Sequence, residues 1–109
     1  MLIEFDKMEE QTIPHFLGGE GALLAKMRVD ELGKILHGVL EPGSTIGPHT
    51  HDTSSEIIYI LTGKGKVLYD GEYESLSAGS CHYCPKGHSH SLMNDSDGLL
   101  EFFAVVPVQ

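Results

Sequence analysis

The sequence predicts an all-β fold, an antiparallel sandwich or barrel, and three observations carry that expectation. Helical periodicity is nearly absent, with one turn near Phe5 to Glu10 as the only plausible helix. Short apolar segments recur along the chain, each closed by turn-forming residues. Thirteen glycines and five prolines supply those turns within 109 residues. A chain of this length makes one domain, whose single core can stabilise the fold unaided.

Residues 1–21 read as an N-terminal arm or short strand and residues 22–109 as the barrel, with Phe5 and Met8 anchoring the arm. Pro14-His15-Phe16-Leu17 leads into Gly18-Gly19-Glu20-Gly21, a bend rather than a phosphate cradle, because no helix pattern follows it. Ala22 to Val29 and Lys34 to Glu41 read as strands joined by Asp30-Glu31-Leu32-Gly33. Neither alternates cleanly, which suits strands buried on both faces, at a subunit contact. His37 lies in the second of them and reads as structural or exposed rather than facing a cavity. Ile57 to Leu61 is uniformly apolar, with Ile58 and Ile60 on the face that Glu56 shares. Asp70-Gly71 is the strongest hairpin signal in the chain, and Leu99 to Val106 reads as the closing strand.

The chemistry concentrates in two stretches. His49 and His51 stand two apart, so on a strand both imidazoles point the same way. The turn formers Asp52-Thr53-Ser54-Ser55 follow, and a hairpin closed by them would set Glu56 opposite His51. In the second stretch His90 sits in a short strand after Pro85-Lys86-Gly87, with Leu92 and Asn94 on its face. A buried, unpaired Glu56 would be costly, which favours a cation beside it.

The spacing of these residues resembles the two signature motifs of the cupins. Gly43, His49, His51, Glu56 and Gly63 stand at the intervals of the first motif, and Gly79, Pro85, Gly87, His90 and Asn94 at those of the second. The resemblance covers Gly43 to Asn94 closely, with Ser80 where many cupins carry Asp. It implies a small single-domain jelly-roll barrel whose metal ligands are His49, His51, Glu56 and His90. Such a set suits a divalent transition metal (Fe, Mn, Ni, Co or Zn), and affinity order alone does not choose among them. Open positions on the ion would allow capture and polarisation of a small molecule with neighbouring oxygens. Glu56 is the candidate catalytic residue, able to take up a proton. Asn94 is expected to make a turn bond. His82 and His88 fall outside the ligand positions, and either could line the cavity mouth.

Composition narrows the partners. The formal net charge is −9, which argues against nucleic acid, and no basic cluster overrides it. No apolar run reaches membrane-spanning length, and no signal pattern opens the chain, so a cytoplasmic protein is expected. Cys81 and Cys84 lie in an apparent strand, where residues three apart face opposite sides; they read as structural rather than redox or zinc residues. The expected partner is a small-molecule ligand or substrate. Three functions remain open: a small metal-dependent dioxygenase, isomerase or decarboxylase; a non-catalytic binding or sensing module; and, weakest, a sugar-phosphate isomerase. The last lacks a phosphate-binding set, since of the seven basic residues only Lys26 and Arg28 could point inward from a strand. A homodimer is expected, paired through the apolar strand around Ala22 to Val29.

Overall fold

A computed structural model describes residues 1–109 in full. Ten strands run in the order β1 (Gln11–Pro14), β2 (Ala22–Asp30), β3 (Gly33–Leu40), β4 (His49–Thr50), β5 (Glu56–Thr62), β6 (Lys64–Tyr69), β7 (Glu72–Ser77), β8 (Cys81–Cys84), β9 (Ser89–Met93) and β10 (Leu100–Pro107). Every pairing is antiparallel. They form a six-stranded sheet ordered β1-β2-β3-β10-β5-β8 and a four-stranded sheet ordered β4-β9-β6-β7. The chain is an all-β jelly roll, as the sequence predicts. Its helical content is limited to two short 3-10 turns, Phe5–Lys7 and Phe16–Gly18.

The core lies between the sheets and follows the period of two. On β5, Glu56, Ile58 and Ile60 are buried while Ile57, Tyr59 and Leu61 are exposed. On β10, Leu100, Phe102 and Ala104 face the same interior and meet Leu23, Leu40, Val67 and Leu92. Each of the larger of these side chains, fully buried, contributes roughly 1.5–3 kcal/mol. Phe102 sits opposite Gly38 of β3, and a Cβ there would lie 2.4 Å from its ring. Glycine is what lets the tip of the ring come up against β3. At the β6–β7 hairpin Asp70 and Gly71 both take positive φ (48° and 87°), the geometry that a two-residue turn demands.

Two readings of the sequence change, the first about β2 and β3. Their faces do alternate: Leu23 and Ala25 are buried, while the far half of β2, from Arg28 to Asp30, is exposed. Within one chain, then, β2 buries a single face. The pattern is masked because Leu24 and Val39, on the outer face, are as apolar as the core residues. The second change concerns β4 and β5. They do not form a hairpin; β4 pairs with β9 in one sheet and β5 with β10 and β8 in the other. Asp52 to Ser55 carries the chain from sheet to sheet, so His51 and Glu56 meet across the sandwich and not along a ladder.

Candidate metal centre

That crossing places the four predicted ligands together. His49 of β4 is the direct cross-strand partner of His90 on β9. His51 follows β4, and Glu56 opens β5 on the opposite sheet. The Nε2 atoms of His49 and His51 lie 3.1 and 3.0 Å from Nε2 of His90. Glu56 Oε1 lies 2.8 Å from His90 Nε2, 3.0 Å from His51 Nε2 and 3.8 Å from His49 Nε2. One ligand atom from each of the four residues is thus gathered within a space that fits a single ion.

The outer nitrogens decide what the inner ones can do. His49 Nδ1 donates to the Gly47 carbonyl at 2.8 Å, an atom that only accepts, so its Nε2 carries a bare lone pair. His82 Nδ1 faces the Glu74 carboxylate at 3.0 Å and donates to it. His82 Nε2 must then accept from His90 Nδ1, 3.0 Å away, which leaves His90 Nε2 bare as well. These tautomers follow from the hydrogen-bond partners. Two bare nitrogens at 3.1 Å repel unless a cation lies between them. The donor set therefore fits a metal ion: neutral imidazoles held by outer partners, with one carboxylate, are a first-row transition-metal set.

Electrostatics agree with that arrangement. Burial acts to raise the Glu56 pKa, but contacts with His49, His51 and His90 outweigh it and hold the carboxyl well below the usual range. For His49, burial acts to lower the pKa, while Glu56 and the Gly47 carbonyl outweigh it and raise it. Cys84 sits opposite Glu56 in the β5–β8 register and is fully buried. Burial first, then the Glu56 charge, push its thiol up to about 11, so it stays protonated. Although His82, Cys84 and His90 also cluster, the histidine nitrogens there are committed to a hydrogen bond and the sulfur carries no charge. Cys81, three positions earlier, is exposed, and the two thiols are unpaired.

The four residues open onto a cavity of about 150 Å³ lined by Phe16, Leu36, Ile58, Phe102 and Val106 among others. The Ile58 wall is where the sequence puts it. Four other expectations need correction. His82 does not line the cavity mouth; it is buried behind His90, stacked on that ring. His88 is outside, hydrogen-bonded to Asp70. Lys26 lies directly across from His37 on the outer face of the six-stranded sheet, and Arg28 is exposed beside Asp30. The basic residue that does line the cavity is Lys34, at the start of β3 on the face of Leu36 and Leu40. Alternation from Leu40 backwards would have found it. His37 pairs with Glu101 under the Phe5 ring, far from the ligands, as a structural residue does. Asn94 is buried and ties the Leu40 and Gly98 carbonyls, the turn role expected of it. Ser80 Oγ accepts from the Ser77 amide in its own turn.

A sequence profile of the cupin domain matches residues 36–106, well over half of the chain. The chain belongs to the cupin family. An oxalate-binding protein of Thermotoga maritima is 31% identical over 97% of this cupin and 93% of its own length. A crystal structure from the same organism, of a predicted oxalate decarboxylase, superposes with a TM-score of 0.93 at 28% identity over the whole of both chains. The Cnp3 cupin domain of Schizosaccharomyces pombe superposes at 0.81 with 12% identity, covering all of this chain and 74% of that one, a likeness of fold alone.

Proposed function

We propose that this cupin holds one divalent transition metal through His49, His51, Glu56 and His90, and uses it to capture and transform a small acidic molecule. The observation that carries the reading is the convergence of bare imidazole nitrogens and one carboxylate at the wall of a cavity. The resident ion would supply Lewis acidity, or a redox centre if it is iron. The chain's own residues do the rest. His49 and His90 are fixed in the ligating tautomer by Gly47 and by the His82–Glu74 pair. Leu36, Ile58, Phe102 and Val106 exclude water. Glu56 Oε1 offsets part of the ion's charge and is the group placed to receive a substrate proton. The similarity to an oxalate-binding protein supports an acidic ligand. Oxygenation, isomerisation and decarboxylation are the reaction types open to such a site.

The second reading is a binding module without turnover, and the name of that same relative favours it. Elemental analysis of untagged protein tests the shared premise, with close to one ion per chain expected. Glu56→Gln then separates the two readings. In an enzyme it lowers turnover more than ligand affinity, whereas a module shows no product with any metal form. Two further parts of the proposal concern the chain's setting. The unpaired thiols suit a reducing cytoplasm. A homodimer would cover the strand around Ala22 to Val29 or the outward row Ile57, Tyr59 and Tyr83, each 39–54% exposed. A monomer mass by light scattering at micromolar concentration would refute the dimer.

A further inference from the structure

Lys34 lines the cavity together with His49, Glu56 and His90, and no other Lys or Arg does. Its ammonium has no carboxylate or hydrogen-bond partner; the group it approaches is the Phe16 ring, 5.5 Å from the centroid. Register fixes how far its backbone stands from that of Glu56. Lys34 is directly opposite Val106 on β10, and Val105 is directly opposite Ile57 on β5. One step along the antiparallel ladder sets Val106 beside Glu56. Lys34, Val106 and Glu56 therefore form a row across three neighbouring strands, all three lining the cavity. Two strand spacings put the Lys34 and Glu56 backbones roughly 10 Å apart. Between these polar ends the walls are hydrocarbon: Val106, Leu36, Ile58 and Phe102.

We propose that Lys34 anchors the far end of the ligand, so that the cavity selects a dicarboxylate with a short hydrocarbon spacer over oxalate. This rests on the metal reading given above. One carboxylate would sit at the ion and the other on Lys34, with methylene groups against the apolar wall. Oxalate, whose carboxyl carbons are directly bonded, has no hydrocarbon to offer that wall and is too short to span the row. Charge fits the same class. A divalent ion with the Glu56 carboxylate leaves one positive charge, Lys34 supplies a second, and a dianion neutralises both. Since the chain as a whole carries −9, attraction of a dianion must come from such local cations.

The test is calorimetric titration of metal-loaded protein, with loading of each variant checked by elemental analysis. The probes are oxalate, malonate, succinate and glutarate, with butyrate as the single-carboxylate control. Wild type should bind succinate or glutarate most tightly. Lys34→Met should weaken that binding about 10- to 100-fold, the range for a hydrogen bond to a charged group, and leave butyrate unchanged. Lys34→Arg should keep most of it, and Lys34→Gln repeats the loss with a polar side chain should Met perturb the fold. The proposal is overturned if oxalate binds best, if no dicarboxylate binds the loaded protein, or if Lys34→Met affects butyrate as much as succinate. Wild-type protein that takes up no metal defeats the metal reading itself, a separate result from loaded protein that fails the chain-length series.

Discussion

Two neighbouring histidines on the second motif, His88 and His90, each meet a carboxylate, and they do opposite things. His88 and Asp70 are both more than 40% exposed, and water competes for every charge they carry. His90 is 1% exposed in its side chain and Glu56 9%, so neither can turn to water. At the surface such a pair adds little. In the interior the same chemistry leaves charge and lone pairs that only a proton or a metal can balance. Burial, not the pairing of imidazole with carboxylate, separates a site from a surface contact.

That contrast can be broken from the buried side first. His49→Ala and His90→Ala should each lower metal affinity by more than about 100-fold, beyond the usual cost of losing an outer partner, with β-type circular dichroism retained. Competition titration with a chromophoric chelator reads this directly. Next in size is the support behind His90. Glu74→Gln and His82→Leu touch no metal ligand position, yet each should cost roughly 10- to 100-fold in metal affinity, because His90 loses the partner that fixes its tautomer. Unchanged affinity in both would show that His82 merely fills space.

The pH response sharpens the same point. Glu56 is depressed below its ordinary 4.5, so its stabilisation is complete above that value and is lost as pH falls toward the lowered one. His49 is raised above 6.5, so its stabilisation is complete below 6.5 and is lost as pH rises through the raised value. Metal-stripped protein should therefore melt highest between pH 4.5 and 6.5 and lower above that window. Metal-loaded protein should show the reverse trend above pH 6.5, since the ion takes the place of the protons. Thermal melts of both forms across that range check the crossing. The smallest effect belongs to the surface pair: His88→Ala should leave metal affinity and melting temperature unchanged.

Much of this was legible in the sequence, for reasons that differ by residue. His49, His51, Glu56 and His90 announce themselves because they stand at the fixed intervals of the cupin motifs. Ile58 and Ile60 follow from Glu56 by strand alternation alone. The meeting of His51 with Glu56 was expected for the wrong reason, since a turn that closes a hairpin and one that crosses between sheets use the same residues. Lys34 was hidden because Gly38 interrupts the inner face of β3 while Ile35 and Val39 make its outer face apolar. His82 carries no spacing signature, because a residue that acts through another is constrained by tertiary contact. Its position appears only with the β5–β8 register, which sets it opposite Ile58.

The crossing between β4 and β5 has a consequence for how the molecule comes apart. His49 and His90 belong to the four-stranded sheet and Glu56 to the six-stranded one, so a bound ion would be a rivet through the sandwich. Contacts of that kind join two sheets that each have their own pairings, so they are expected to form late in folding. An ion held there would slow the parting of the sheets far more than it hastened their assembly. Amide hydrogens of β5 and β9 should then exchange with solvent much more slowly once metal is added, while those of the exposed end of β2 keep their pace.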